Sequence, residues 1–119
     1  MAAEYHNVQV RAEGPALEIH LAVENKSNHT WKPENFSLGW QFFDPETDFF
    51  ILEGAWTPVP REIKPGDVAS FEISIPFPPD AGEYHVYISP IEQPEGWAYL
   101  RGQPFLRVQA AMPPRRSRR

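Results

Sequence analysis

Apolar and polar residues alternate along several short runs of the chain. In "ALEIHLAVEN" (16–25) apolar side chains fall at every second position, from Leu17 to Val23, and Glu18, His20 and Glu24 fall on the other face. A period of two is typical of a half-buried β-strand. Six further runs are strand-like: "YHNVQVRAE" (5–13), "FSLGWQFFD" (36–44), "DFFILEG" (48–54), "VASFEISIPF" (68–77), "EYHVYIS" (83–89) and "PFLRVQ" (104–109). The pattern therefore predicts about seven strands.

Proline and turn residues favour the same fold class. The 14 prolines are spread through the chain, and each one inside a helix would cost about 3 kcal/mol. Clusters such as "KPGD" and "PPDAGE" separate the runs and are typical of turns. We therefore expect an all-β, antiparallel Greek-key sandwich over residues 5–110, followed by a disordered basic tail at 111–119. With no cysteine in the chain, packing alone must stabilise it.

One motif predicts the order of the strands. "DAGEYHV" (80–86) matches the start of the sixth strand of immunoglobulin-like domains, with Tyr84 as the corner tyrosine and Val86 as an inward position. Leu21 and Trp40 would then face Val86 in the core. This order places loops 25–35 and 90–103 at the same end of the sandwich.

Those two loops carry large aromatic residues. Trp31 lies in the first loop, Trp97 and Tyr99 lie in the second, and Trp56 lies in a connection. Two interpretations stay open for Trp31, Trp97 and Tyr99: the rings cap the end of the core, or some of them form a flat platform for a sugar ring or a peptide. Trp56 either covers the sheet from its connection or stands exposed. The four residues are our candidates for ligand binding.

Charge narrows the range of partners. The chain has 11 basic and 16 acidic residues, but four arginines stand in the last five positions, so the remaining body has a charge of about −9. Such a body repels nucleic acid. The arginine tail is either a solvated end or linker, or a tether to an acidic partner or membrane surface. Without an export signal or a membrane-spanning apolar run, we expect a soluble, cytoplasmic protein.

Catalytic motifs are missing from the sequence. The four histidines have no metal-ligand spacing, "DPETDFFILEGA" (44–55) lacks the residues that a calcium loop needs, and no phosphate loop or nucleophile elbow occurs. We expect no metal, no cofactor and no enzymatic activity.

A family resemblance supports this expectation. Asn25 and Trp31 after the second strand, "TPVPREIKPG" (57–66), the Gly82–Tyr84 corner and Trp97 in the last loop resemble an immunoglobulin-like accessory domain of bacterial glycosyltransferases and methyltransferases. They are also similar to the carbohydrate-recognising domain of O-antigen ABC exporters and, more distantly, to the four-tryptophan domains of autophagy receptors. The resemblance implies a non-catalytic β-sandwich that handles cell-surface polysaccharide or binds proteins.

We therefore expect a binding or accessory module that recognises a polysaccharide or a partner protein through loops at one end of the sandwich. The alternative is a structural module that dimerises with a second copy or docks on another chain and takes no small ligand.

Overall fold

The computed structural model describes residues 3–13, 16–76 and 82–112, which form two antiparallel β-sheets. The first sheet has three strands in the order β1-β2-β6, and each pair of neighbours runs antiparallel. The strands of this sheet are β1 (Ala3–Glu13), β2 (Ala16–Asn25) and β6 (Val68–Pro76).

The second sheet has six strands, with β3 and β7 at its centre. Strands β4 and β5 pair with β3, and strands β8 and β9 pair with β7. A short 3-10 helix (Ala98–Arg101) follows β8. The strands are β3 (Phe36–Phe43), β4 (Phe50–Glu53), β5 (Thr57–Pro58), β7 (Gly82–Glu92), β8 (Gly96–Trp97) and β9 (Leu106–Met112).

The core lies between the two sheets and contains the residues that the alternation predicts. Leu21 on β2, Trp40 on β3 and Val86 on β7 are all buried in one cluster. Tyr84 is buried beside them and stacks on Phe42, with ring centroids 5.3 Å apart. The all-β antiparallel sandwich is therefore confirmed, and Trp40 is a core residue as expected.

All seven expected strands are present, together with two strands of two residues each that the alternation did not indicate, β5 and β8. Two residues are too few for a period to be read from the sequence. Strands extend from Ala3 to Met112, so residues 111 and 112, which we assigned to the tail, belong to β9. The rest of the tail lies outside the described residues. Across the described ranges, no helix is long and apolar enough to cross a membrane.

The outer faces of the two sheets differ. On β2 and β6 the outward positions include exposed residues such as His20 and Glu72. On the six-stranded sheet, the outward residues Gly39, Gln41 and Ser89 are buried. Something therefore covers the outer face of the second sheet.

Candidate functional site

The cover is the segment that includes β8 and the 3-10 helix. Trp97 pairs with Ile91 at the end of β7, and the chain then turns across the sheet. The backbone N–H of Tyr99 donates to the hydroxyl of Ser89 at 3.2 Å, which ties the helix to β7. Gly102 ends the helix in the left-handed region, at φ 72°, where a residue without a Cβ meets no steric penalty.

Gly39 makes room for this cover on the central strand β3. A Cβ at this position would lie 2.5 Å from Cδ1 of Ile91 and 2.6 Å from Cη2 of Trp97, closer than carbon atoms pack. The indole of Trp97 therefore lies directly over the backbone of Gly39, on the side of the sheet away from the core.

Six linked rings on this side form what we call the aromatic face: Phe43, Trp56, Tyr87, Trp97, Tyr99 and Phe105. Phe50 on β4 continues the cluster beyond its edge, with its ring 5.9 Å from that of Phe43. The ring of Trp97 contacts Trp56 at a centroid distance of 6.1 Å and Tyr99 at 5.9 Å, with interplanar angles of 88° and 77°. Tyr99 continues the cluster to Tyr87 at 5.3 Å and to Phe105 at 5.6 Å. The rings next to Trp97 and Tyr99 include pairs that are nearly perpendicular, at 77° to 88°, so the surface is stepped and is not the flat platform of the second interpretation.

Polar side chains cross the aromatic face in a hydrogen-bonded chain. The hydroxyl of Tyr99 donates to Oε1 of Gln41, and Nε2 of Gln41 donates to Oε1 of Glu53 at 3.1 Å. The indole N–H of Trp56 donates to the other oxygen of Glu53 at 2.8 Å. Burial raises the pKa of Tyr99, and electrostatic interactions with Tyr87 and Glu53 raise it further, which favours the protonated hydroxyl that donates to Gln41.

Trp31 does not belong to this surface. Its side chain is only 1% exposed and stacks on Phe36 at 4.1 Å, inside the sandwich. Its backbone pairs with that of Ile63, and the buried amide of Asn25 donates to the carbonyls of His29 and Ile63. The expectation that Trp31 contacts a ligand is therefore corrected: the residue caps the core.

The two loops do meet at one end of the sandwich, as the strand order predicts. His29 in the first loop contacts the carboxylate of Glu92 at the end of β7, and the N–H of Gln93 donates to the carbonyl of Asn35 at 2.9 Å. The loops share an end, but Trp31 faces the core while Trp97 faces outward. The sheet itself separates the two indoles.

The structure thus brings together three of the four candidate residues, Trp56, Trp97 and Tyr99. It adds five that the sequence analysis missed: Gln41, Phe43, Glu53, Tyr87 and Phe105. A signal for some of them was present, since the outward positions of β3 and β7 include Phe43 and Tyr87, where β2 and β6 have charged residues. Apolar residues on both faces of a strand indicate that both faces are covered.

One group of side chains has the composition of a metal site. Glu4, His6 and Glu24 place ligand atoms within 4.8 Å of one another across β1 and β2. The ammonium group of Lys26 lies 3.5 Å from Glu4 and 3.7 Å from Glu24, so a cation already compensates these carboxylates. The group is a solvated ion-pair network on the first sheet, away from the aromatic face.

Comparison with known proteins supports the fold. No protein-family model matches the chain, and no curated protein is similar to it in sequence. Among solved structures, it is similar to β-glucosidase 3B from Thermotoga neapolitana in complex with glucose and to the same enzyme in complex with α-D-glucose. Each match has 18% identity and a TM-score of 0.62, and covers 92% of this chain and 15% of the enzyme chain. The chain therefore resembles one β domain within a glycoside hydrolase.

Proposed function

We propose that the chain is a non-catalytic module that binds a saccharide on its aromatic face, with Trp56, Trp97 and Tyr99 as the contacting side chains. The observation that carries the proposal is the indole of Trp56, which is 40% exposed. A hydrogen bond to Glu53 and the edge contact with Trp97 hold its orientation. A rigid, exposed aromatic ring offers a large contact area at little entropic cost, and the apolar face of a sugar ring can stack on it.

Polar groups beside the rings support a saccharide as the ligand. Binding sites combine apolar walls with a few placed polar groups, and here Glu53 and Tyr99 lie among the indoles. The likeness to part of a glucosidase solved with glucose is consistent with a role beside saccharide chemistry. So is the resemblance to accessory domains of glycosyltransferases.

The hydrogen bonds of Glu53 support the non-catalytic part of the proposal. Both oxygens of its carboxylate accept hydrogen bonds, from Gln41 and from Trp56. Glycoside hydrolysis needs a second carboxyl group across the scissile bond, one of the two acting as an acid. In the aromatic face, Glu53 instead orients an indole.

Isothermal titration with neutral oligosaccharides would test the proposal. We expect Trp56→Ala to weaken binding by about tenfold or more, the effect typical of a residue that dominates an interface. Phe49→Ala is the matched control, because Phe49 is exposed but does not belong to the aromatic face. Equal affinity of the wild type and Trp56→Ala, or no binding to any saccharide, would refute it. Release of reducing ends from a bound saccharide would refute its non-catalytic part.

A second candidate function is docking on a partner protein through strand β4. Phe49, Phe50 and Ile51 are 72%, 54% and 41% exposed, and within the described chain β4 pairs only with β3. An exposed apolar edge strand can add a strand from a partner. Residues 33–60 carry five acidic side chains and no Lys or Arg, so the partner strand that fits is extended and basic.

A synthetic peptide of alternating valine and lysine would separate the two functions. Docking predicts that Ile51→Lys abolishes peptide binding and that Trp56→Ala leaves it intact. Light scattering would show whether a second copy occupies the edge instead. Failure of the peptide to bind a monomeric chain would refute this candidate.

A further inference from the structure

Three side-chain hydrogen bonds of the aromatic face lead towards Glu53. The hydroxyl of Tyr99 is used on Gln41, an N–H of Gln41 is used on Glu53, and the N–H of Trp56 is also used on Glu53. The hydroxyl of Tyr99 and the indole N–H of Trp56 are therefore engaged inside the face, and this network ends on the carboxylate of Glu53, which is an acceptor.

Glu53 has most of the remaining acceptor capacity. A carboxylate accepts about four hydrogen bonds, and the two from Gln41 and Trp56 leave the others for a ligand. Glu53 is exposed, and in the described part of the chain no Lys, Arg or His forms an ion pair with it. The face therefore combines an uncompensated negative charge with apolar rings.

We propose, building on the saccharide-binding function above, that the aromatic face selects saccharides that offer hydrogen-bond donors, hydroxyl or ammonium groups, and rejects saccharides that carry carboxylates. A hydroxyl or ammonium group can donate to Glu53 while the sugar ring stacks on Trp56. A uronate at the same place would bring two like charges together and leave acceptors facing acceptors.

Three oligosaccharides of equal length would test the selectivity: a neutral gluco-oligosaccharide, a glucosamine oligomer and a galacturonate oligomer. At about pH 6, where amines are charged, we expect the glucosamine oligomer to bind best and the galacturonate oligomer about tenfold more weakly than the neutral one. Raising the salt concentration should reduce both differences, because Glu53 is exposed to solvent.

Glu53→Gln is the decisive variant, and Glu46→Gln is its matched control. Both remove one negative charge, but Glu46 is an exposed residue of the turn between β3 and β4 and does not belong to the aromatic face. We expect Glu53→Gln to bring the galacturonate and neutral affinities within about twofold, and Glu46→Gln to leave the tenfold ratio. An equal shift in both variants would overturn the inference, since net charge alone would explain it.

The affinities of the three oligosaccharides, measured together with Trp56→Ala, distinguish this inference from the saccharide-binding function on which it rests. If all three oligosaccharides bind with equal affinity and Trp56→Ala abolishes binding, the saccharide-binding function stands and the selectivity is wrong. If none of the three binds, both are wrong.

Discussion

Gly39 links the packing of the sheet to the geometry of the aromatic face, so Gly39→Ala should damage both. The Cβ of alanine would lie 2.6 Å and 3.1 Å from two ring atoms of Trp97 and 2.5 Å from the end of Ile91. Ile91 can change rotamer, but the indole is a rigid plane held on both sides by Trp56 and Tyr99. We expect the indole to move off the sheet.

The size of the effect follows from two opposing contributions. Overpacking a filled site costs about 1–3 kcal/mol. Alanine in place of glycine also lowers the conformational entropy of the unfolded chain. Because Gly39 is not at a positive φ, this effect stabilises the folded state by about 0.4–1 kcal/mol. The net loss in the free energy of unfolding should be about 1–2 kcal/mol, which for a domain of this size lowers the melting temperature by about 4–8 °C. Saccharide affinity should fall as well, because Trp97 leaves its position.

A double-mutant cycle would show whether Trp97 causes the loss. Urea unfolding of Gly39→Ala, Trp97→Ala and the double variant gives the coupling free energy. We expect the double variant to be more stable than the sum of the single effects by about 1 kcal/mol, because without the indole the new methyl group has space. Single effects that add to within about 0.3 kcal/mol would refute the reasoning, since the indole would then not oppose the methyl group.

Three further predictions concern Asn25, Tyr5 and the exposure of Trp31 and Trp56. Asn25→Ala should lower the free energy of unfolding by about 2–4 kcal/mol, because its buried amide satisfies two loop carbonyls; urea unfolding that finds a loss below about 1 kcal/mol would contradict this. Tyr5 is half-buried and donates to the carbonyl of Pro104 at 3.0 Å, and desolvation raises its pKa, so its stabilisation is complete below about pH 10 and is lost as the pH rises towards the folded-state pKa. Denaturant titrations across about pH 9–11 should show this decline, by up to about 1.4 kcal/mol per pH unit, and Tyr5→Phe should flatten it; an unchanged slope would count against the role of Tyr5. Iodide should quench the fluorescence of Trp56 but not that of Trp31, so Trp56→Phe should remove quenchable emission and Trp31→Phe should not; the reverse result would place the wrong indole at the surface.

The fold could be predicted from the sequence because the strands of the first sheet obey a simple rule. β2 and β6 have one face in the core and the other in water, so their apolar residues recur at every second position, as in Leu17 to Val23 and Phe71 to Ile75. The Gly82–Tyr84 corner then located the sixth long strand. Strands β5 and β8 have no such pattern, since two residues acquire strand geometry only from the neighbour with which they pair.

The site could be predicted only in part, because a sequence does not give the direction in which a loop residue faces. The shared end of loops 25–35 and 90–103 follows from strand order and is confirmed by contacts such as that between His29 and Glu92. The inward position of Trp31 depends on its backbone pairing with Ile63, which is 32 positions away in the chain. No local pattern contains that contact.

The loop aromatics divide between two roles, a cover for the core and a surface for a ligand. Two of them fit both roles. Trp31 only caps the core, whereas Trp56 is exposed to solvent. Trp97 and Tyr99 are half-buried: they cover the outer face of β3 and also line the surface beside Trp56. A ligand that binds this surface would therefore also stabilise the cover, and saccharide binding should raise the melting temperature of the wild type more than that of Gly39→Ala.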